Sequence, residues 1–170
     1  MILLIVFLSL ILAQRIAELT IARRHEIALK KRGAVEIDRR GYKFIVAMHS
    51  AFFVSIAAEY ILFRRPINHY WPALVAVFAA AQCLRYWAIS SLGVYWNTKI
   101  LIALDHRIVK VGPYRFMKHP NYVAVVTEIA VVPLVFSCYF TALFFTVLNI
   151  LVLWRRIRLE TQSLPIPNSQ

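Results

Sequence analysis

Long apolar runs alternate along the chain with short polar, cation-rich segments, and the runs have the length of membrane spans. Ile2 to Ala22 is nearly all apolar, about 21 residues, which at ~1.5 Å rise per residue crosses a hydrocarbon layer of ~30 Å. Further runs reach from about Phe44 to Phe63 and from about Ala73 to Leu92. Two shorter runs, Tyr122 to Phe136 and Phe140 to Trp154, flank Ser137-Cys138-Tyr139, which leaves room only for a tight turn. The pattern predicts an all-α integral membrane protein, a single domain over 1–170, with about five transmembrane helices, the last two forming a tight helical hairpin. Each hairpin arm is near the lower limit for a full crossing, and Pro133 is placed to kink the first.

A few polar residues interrupt the spans. Arg15 and Glu18 stand at i,i+3 and can pair on one helix face, next to Gln14. Gln82 and Arg85 lie in the third run, and a buried arginine needs a partner, which Glu59 or Glu128 can supply. Whether such a pair is catalytic or holds helices together is open at this level.

The polar connections set the orientation. Residues 23 to 43 carry eight basic residues against Glu26, Glu36 and Asp38, residues 93 to 120 carry five, and Arg155 to Glu160 carries three. Only Arg64 and Arg65 lie between the second and third spans. The positive-inside rule therefore puts the N-terminus outside and the C-terminus in the cytoplasm of a multi-pass cell-membrane protein. Arg23 to Arg32 can prolong the first helix, Gly33 and Gly41 mark breaks, and the tail from Pro165 to Gln170 is expected to fray.

Composition agrees: of 170 residues, 61% are hydrophobic and 16% charged, which is membrane composition. The formal charge of +12 is explained by topology and anionic lipid, so no nucleic-acid partner is expected. Cys83 and Cys138 stand apart, with no CxxC and no metal-type spacing, and read as inert thiols; no metal site is expected. Nothing basic precedes the first run and no small-x-small site follows it, so it reads as an anchor rather than a signal peptide. Glycines occur only at 33, 41, 93 and 112, which excludes GxGxxG and Walker loops, and there is no HExxH or GxSxG.

Candidate chemistry gathers in Gly112-Pro113-Tyr114-Arg115-Phe116-Met117-Lys118-His119-Pro120-Asn121-Tyr122. The two prolines each fix their own φ, remove a donor and push Gly112 and His119 toward extended backbone, so the segment is no smooth helix. Irregular polar backbone beside a membrane span is tolerated where protein buries it or water reaches it, which makes a ligand cavity one reading and an interfacial loop with snorkelling cations the other. The hairpin returns Arg155 to Glu160 to the same membrane face, so His119 and Glu160 can converge.

These residues carry a family resemblance. His106-Arg107-Ile108-Val109-Lys110-Val111-Gly112-Pro113-Tyr114-Arg115, then Lys118-His119-Pro120-Asn121-Tyr122, then Arg156-Ile157-Arg158-Leu159-Glu160 resemble the isoprenylcysteine carboxyl methyltransferase family over residues 82 to 164. Arg85-Tyr86-Trp87, Leu92-Gly93 and Trp96-Asn97-Thr98-Lys99 look like its small bacterial branch, which accompanies type III polyketide synthases. The resemblance implies a membrane methyltransferase that binds S-adenosyl-L-methionine from the cytoplasm, while a lipophilic acceptor enters from the lipid bilayer between helices. By the same resemblance His106, Val109, Gly112, Pro113, Tyr114, His119, Pro120 and Tyr122 contact the cofactor. Arg158 and Glu160 help hold cofactor and acceptor, and Arg85, Trp87, Trp96 and Asn97 fall to the acceptor. Lys118 stands where arginine is usual and Thr161 where a second glutamate is common.

The implied reaction is O-methylation of a carboxylate or of an enol or phenol, on an isoprenylcysteine-like or alkylpyrone- or alkylresorcinol-like acceptor. His119 reads as a general base or as a cofactor ligand, and Glu128 as a second base or as the partner of Arg85. Two other classes compete: an NADPH-dependent membrane reductase related to sterol reductases, and a small channel or carrier with a polar path along Arg15, Glu18, Glu59, Arg85 and Glu128.

Overall fold

In the computed structural model, which describes residues 1–102 and 110–163, the helices are α1 Ile2–Lys31, α2 Arg39–Leu62, α3 Trp71–Leu92, α4 Pro120–Val135 and α5 Tyr139–Ser163. Four are long and apolar enough to cross a membrane; α4, with 16 residues, is a shorter apolar helix. The chain is an all-α integral membrane protein. Its core joins Leu4 and Ile11 of α1, Phe52 and Ile56 of α2, Ile129 and Val132 of α4 and Phe145 of α5. Leu10, Ile16, Leu143, Phe144 and Leu151 face outward, as residues do when lipid is the solvent.

Helix α1 runs on to Lys31 because nothing between Arg23 and Lys31 breaks it; Gly33, at φ 84°, makes the turn that follows. Gly41 is not a break. It sits in the first turn of α2, where a Cβ would lie 1.9 Å from Asp38 Oδ2 and 2.6 Å from Arg155 Nη1, so the glycine makes room for that ion pair. Asp38 caps α2 by accepting from the Gly41 N–H at 3.1 Å. Its carboxylate receives Arg155 of α5 at 2.7 and 2.9 Å.

Two strands unforeseen in the hydrophobic pattern, β1 Val35–Ile37 and β2 Ile100–Ile102, pair antiparallel with Val35 opposite Ile102 and Ile37 opposite Ile100. Three residues each are too few to show an alternation. With the Asp38–Arg155 pair, this ribbon gathers all three cation-rich segments at one end of the bundle. At the other end the Asn68 N–H donates to the Val135 carbonyl at 2.9 Å.

The α4–α5 hairpin closes there through backbone chemistry. Ser137 takes φ 53°, its N–H donates to Leu134 O at 3.0 Å, and the Cys138 N–H donates to Pro133 O at 2.9 Å, the paired bonds of a Schellman ending. Glu59, reaching from α2, then receives the N–H groups of Phe140 at 3.2 Å and Thr141 at 2.8 Å. A carboxylate so placed satisfies donors that the first turn of α5 leaves open. Glu59 is thereby committed to α5 and Arg65, and Arg85 finds other partners.

Those partners form a buried polar cluster between α1, α3 and α4. Arg85, 1% exposed, donates to Glu18 at 3.1 Å and to Glu128. Arg15 pairs with the same two carboxylates at 2.8 and 2.7 Å. Gln82 donates to Glu128 at 3.2 Å, and Gln14 bridges Gln82 and Glu18 at 2.5 and 3.0 Å. Two cations and two anions cancel, as charge enclosed in an apolar bundle must.

Candidate active site

The segment before α4 is built from its two prolines. Val111 is extended, a 3-10 turn runs over Gly112–Arg115, and Pro120 opens α4 with His119 as N-cap. Gly112 is not extended as a residue before proline is expected to be; its φ is +58°. Lacking a Cβ, it escapes the clash behind that rule, and it abuts α3 so closely that a Cβ would stand 2.0 Å from Ser91 Oγ and 3.0 Å from Trp87 Nε1. This contact seats the turn on the end of α3. His119 makes no side-chain cap, and its ring lies flat on Tyr122, with centroids 5.1 Å apart and planes within 8°.

Tyr122 projects from the first turn of α4 toward the end of α5. Its hydroxyl donates to Glu160 Oε2 at 3.0 Å and accepts from Arg156 Nε at 3.0 Å. Arg156 also donates through Nη2 to the Thr98 carbonyl at 2.7 Å, tying the second polar connection to both helices. Burial, with the Glu160 charge next, pushes the Tyr114 phenol up to about 12, so it stays a neutral hydroxyl at physiological pH.

These groups line a cavity of about 570 Å³ at the cation-rich end of the bundle. Its walls include Tyr114, His119, Asn121 and Tyr122 on one side, Arg156, Glu160 and Thr161 on another, and Tyr95, Trp96, Asn97 and the β2 strand on the third. The third wall leans on α1: Asn97 Nδ2 donates to Ala22 O at 2.9 Å, His25 Nδ1 to Trp96 O at 2.9 Å, and Lys99 Nζ meets Glu26 at 2.8 Å. Two buried wall atoms, Trp96 Nε1 and Asn121 Oδ1, have no hydrogen-bond partner.

The structure therefore brings together Tyr114, His119, Tyr122, Glu160, Trp96 and Asn97. Gly112, Pro113 and Pro120 stand behind the wall, where they shape it. Glu128 and Arg85 are elsewhere, in the buried cluster; Glu128 is six residues along α4 from Tyr122, about 9 Å deeper at ~1.5 Å per residue, and its Oε2 is engaged by three donors. Trp87 packs near Gly112, outside the cavity lining. Arg158 is exposed with its guanidinium 3.6 Å over the Trp154 ring, off the cavity, and Arg156 occupies the wall instead. His106 and Val109 lie outside the described residues.

Arg156 was legible. On a helix Arg156 and Glu160, at i,i+4, share a face, whereas Arg158 is turned about 200° from each. Asn121 offered no comparable signal, because a lone amide beside proline reads as turn chemistry.

Comparison with known proteins adds the identity of the fold. An uncharacterized protein of Bacillus subtilis (strain 168), YpbQ, is 42% identical over 157 residues, covering 92% of this chain and 94% of its own. An uncharacterized protein of Haemophilus influenzae (strain ATCC 51907 / DSM 11121 / KW20 / Rd) is 28% identical over 155 residues, covering 91% and 90%. No solved structure matches. Residues 73–166, from early α3 past the end of α5 and so including the Tyr122, Arg156 and Glu160 cluster, match the isoprenylcysteine carboxyl methyltransferase (ICMT) family, and the chain belongs to that family.

Proposed function

We propose that the protein is an integral membrane, S-adenosyl-L-methionine-dependent O-methyltransferase acting on a carboxylate or an enol or phenol oxygen of a lipophilic acceptor. The carrying observation is the constellation of Tyr122, Glu160 and Arg156 on the wall of a cavity at the cation-rich end of an apolar bundle. The cavity has the size of a small-molecule site. Its donor set suits the cofactor: a carboxylate for an ammonium or a ribose diol, a guanidinium for a carboxylate, aromatic faces for a sulfonium and a base, and orphaned neutral atoms in the wall.

When bound, the cofactor would supply a methyl group on a sulfonium; an oxygen–carbon bond would form as the carbon–sulfur bond broke, with sulfur keeping the electron pair. The chain's residues act mainly by positioning, for which alignment offers roughly 7–11 kcal/mol. Tyr122 and Arg156 aim Glu160, and His119, stacked on Tyr122, serves as a cofactor ligand rather than a base for a carboxylic or enolic acceptor, which is acidic enough to shed its proton unaided. The positive-inside rule places this end in the cytoplasm and the N-terminus outside. Isoprenylcysteine-like and alkylpyrone-like acceptors fit this baseless site, whereas an alkylresorcinol-like acceptor, a phenol with a pKa of about 10, would call on His119 as its base.

The test uses detergent-solubilised protein. It should bind S-adenosylhomocysteine and ignore NADPH, and with methyl-labelled cofactor and a lipid extract it should place the label on an acidic amphiphile seen by mass spectrometry. Binding of NADPH alone, or no labelled lipid from any extract, rejects the proposal.

A further inference from the structure

The buried residues of α1, Leu4, Ile11, Glu18, Ala22 and Leu29, fall within an arc of about 40° around the helix, and Arg15, His25 and Glu26 border that stripe. Its apolar members do not determine how far along its axis α1 sits. Lipid tails are as apolar as a leucine side chain, so Leu4 and Ile11 lose little by exchanging protein neighbours for lipid. The charges are selective. Glu18 meets Arg85 of α3 at 3.1 Å and Arg15 meets Glu128 of α4 at 2.7 Å, so both charges of α1 find their opposites on other helices at one axial position. A slide of one turn, ~5.4 Å, would part both pairs inside the bundle.

What that position serves lies farther along the same stripe, one to two turns beyond Glu18. There the Ala22 carbonyl accepts from Asn97 at 2.9 Å, His25 donates to the Trp96 carbonyl at 2.9 Å, and Glu26 receives Lys99 at 2.8 Å. Trp96, Asn97 and Lys99 belong to the third wall of the cavity, and because all three contacts hang on one helix they are made or lost together. We propose that Arg15 and Glu18 are positioning residues: paired with Glu128 and Arg85, they fix the register of α1 and thereby hold the third wall of the cavity in place. Setting register is the best-attested use of polar groups buried between helices, and it is retained although it costs stability. The inference concerns the cavity whatever occupies it; only a measurement of cofactor affinity rests on the S-adenosylmethionine reading.

The test sets two double variants of the full-length protein in detergent against each other. Arg15→Met with Glu18→Leu leaves Arg85 with Glu128 and strips α1 of its ionic ties. Arg15→Met with Glu128→Leu removes the same two kinds of charge but leaves Glu18 with Arg85, so α1 stays tied. Gln14 keeps Gln82 in both. Each double retains one buried ion pair, so a role in stability alone predicts the same result for the two. Hydrogen exchange read by mass spectrometry should show the amides of residues 93–102 exchanging about tenfold faster in the untied variant and unchanged in the tied one, with the α4–α5 turn protected in both. Affinity for S-adenosylhomocysteine, by calorimetry, should fall about tenfold in the untied variant alone. If the untied variant does not fold, Arg15→Gln with Glu18→Gln is compared with Arg15→Gln with Glu128→Gln in the same way. Equal exchange in the two doubles, fast or protected, overturns the proposal and leaves the methyltransferase reading standing. Failure of the unmodified protein to bind S-adenosylhomocysteine overturns that reading instead, and the exchange comparison alone then decides the role of Arg15 and Glu18.

Discussion

Arg156 and Tyr122 meet at 3.0 Å, guanidinium Nε to phenol oxygen, and the contact fastens the end of α5 to the start of α4. The same tyrosine donates to Glu160, so removing Arg156 takes away a charge-assisted bond and lets the carboxylate lose its aim. Arg156→Ala should weaken S-adenosylhomocysteine by about tenfold to a hundredfold, the range for a lost bond to a charged group. Arg156→Lys should recover only part, because an ammonium cannot span Tyr122 and Thr98 as a planar fork does. Arg158→Ala, whose side chain lies on Trp154, should bind as the unmodified protein does. Calorimetry on the three variants checks this, and equal losses at both arginines would contradict it.

The contrast between these arginines shows what the sequence disclosed. Apolar run length is a property of consecutive residues, so the helices and the hairpin were readable, and the hairpin, by returning the end of α5 to the membrane face of the segment around His119, anticipated that the two would meet. Helical periodicity alone, applied to Arg156, Arg158 and Glu160, separates the wall residue from the outward one. Long-range backbone pairings were not readable. The β1–β2 ribbon joins residues about sixty-five apart through backbone bonds that no side-chain pattern encodes, and three-residue strands carry too little alternation to register. Gly112 misled for a related reason: the rule for residues before proline rests on a Cβ that glycine lacks.

Gly112→Ala tests that seating of the turn on α3. The substitution adds strain at φ +58° and drives a methyl carbon to 2.0 Å from Ser91 Oγ. Both the melting temperature and the affinity for S-adenosylhomocysteine should fall, because Tyr114 and His119 are carried by the displaced segment. Pairing it with Ser91→Gly should restore part of the loss, since the collision is relieved while the backbone strain stays. Complete rescue by the double variant would show that the left-handed conformation itself costs nothing here.

The buried cluster makes the opposite kind of prediction, in which two changes do less harm than one. Arg85→Met strips Glu18 and Glu128 of a shared cation inside the bundle, and breaking such a pair costs roughly 3–5 kcal/mol. Arg85→Met with Glu128→Leu removes one charge of each sign and leaves Arg15 with Glu18 at 2.8 Å. That double variant should melt above the single variant in detergent. Glu128→Gln should lower stability without changing the pH profile of methyl transfer, as expected of a carboxylate held by arginines away from the cavity.

The Asp38–Arg155 pair offers a test by pH, because Asp38 lies outside the membrane spans and its sign is determined. Hydrogen bonds from Arg155, together with the Gly41 N–H and against some burial, hold the Asp38 carboxyl below its usual value of 3.8. A depressed folded value means that the unfolded chain takes up its proton first. The stabilisation is therefore full above the unfolded value and is lost as pH falls through the folded one. Asp38→Asn isolates this contribution, since asparagine keeps an oxygen for the Gly41 N–H and tolerates the φ of 61° that Asp38 adopts. At neutral pH the variant should melt below the unmodified protein, and the difference should shrink as pH is lowered from about 5 toward about 3. Arg155 is half exposed, with 55% of its side chain accessible, so salt should also narrow the difference. A gap that stays constant across that pH range would mean that the pair holds no charge-dependent share of the contact between α5 and the start of α2.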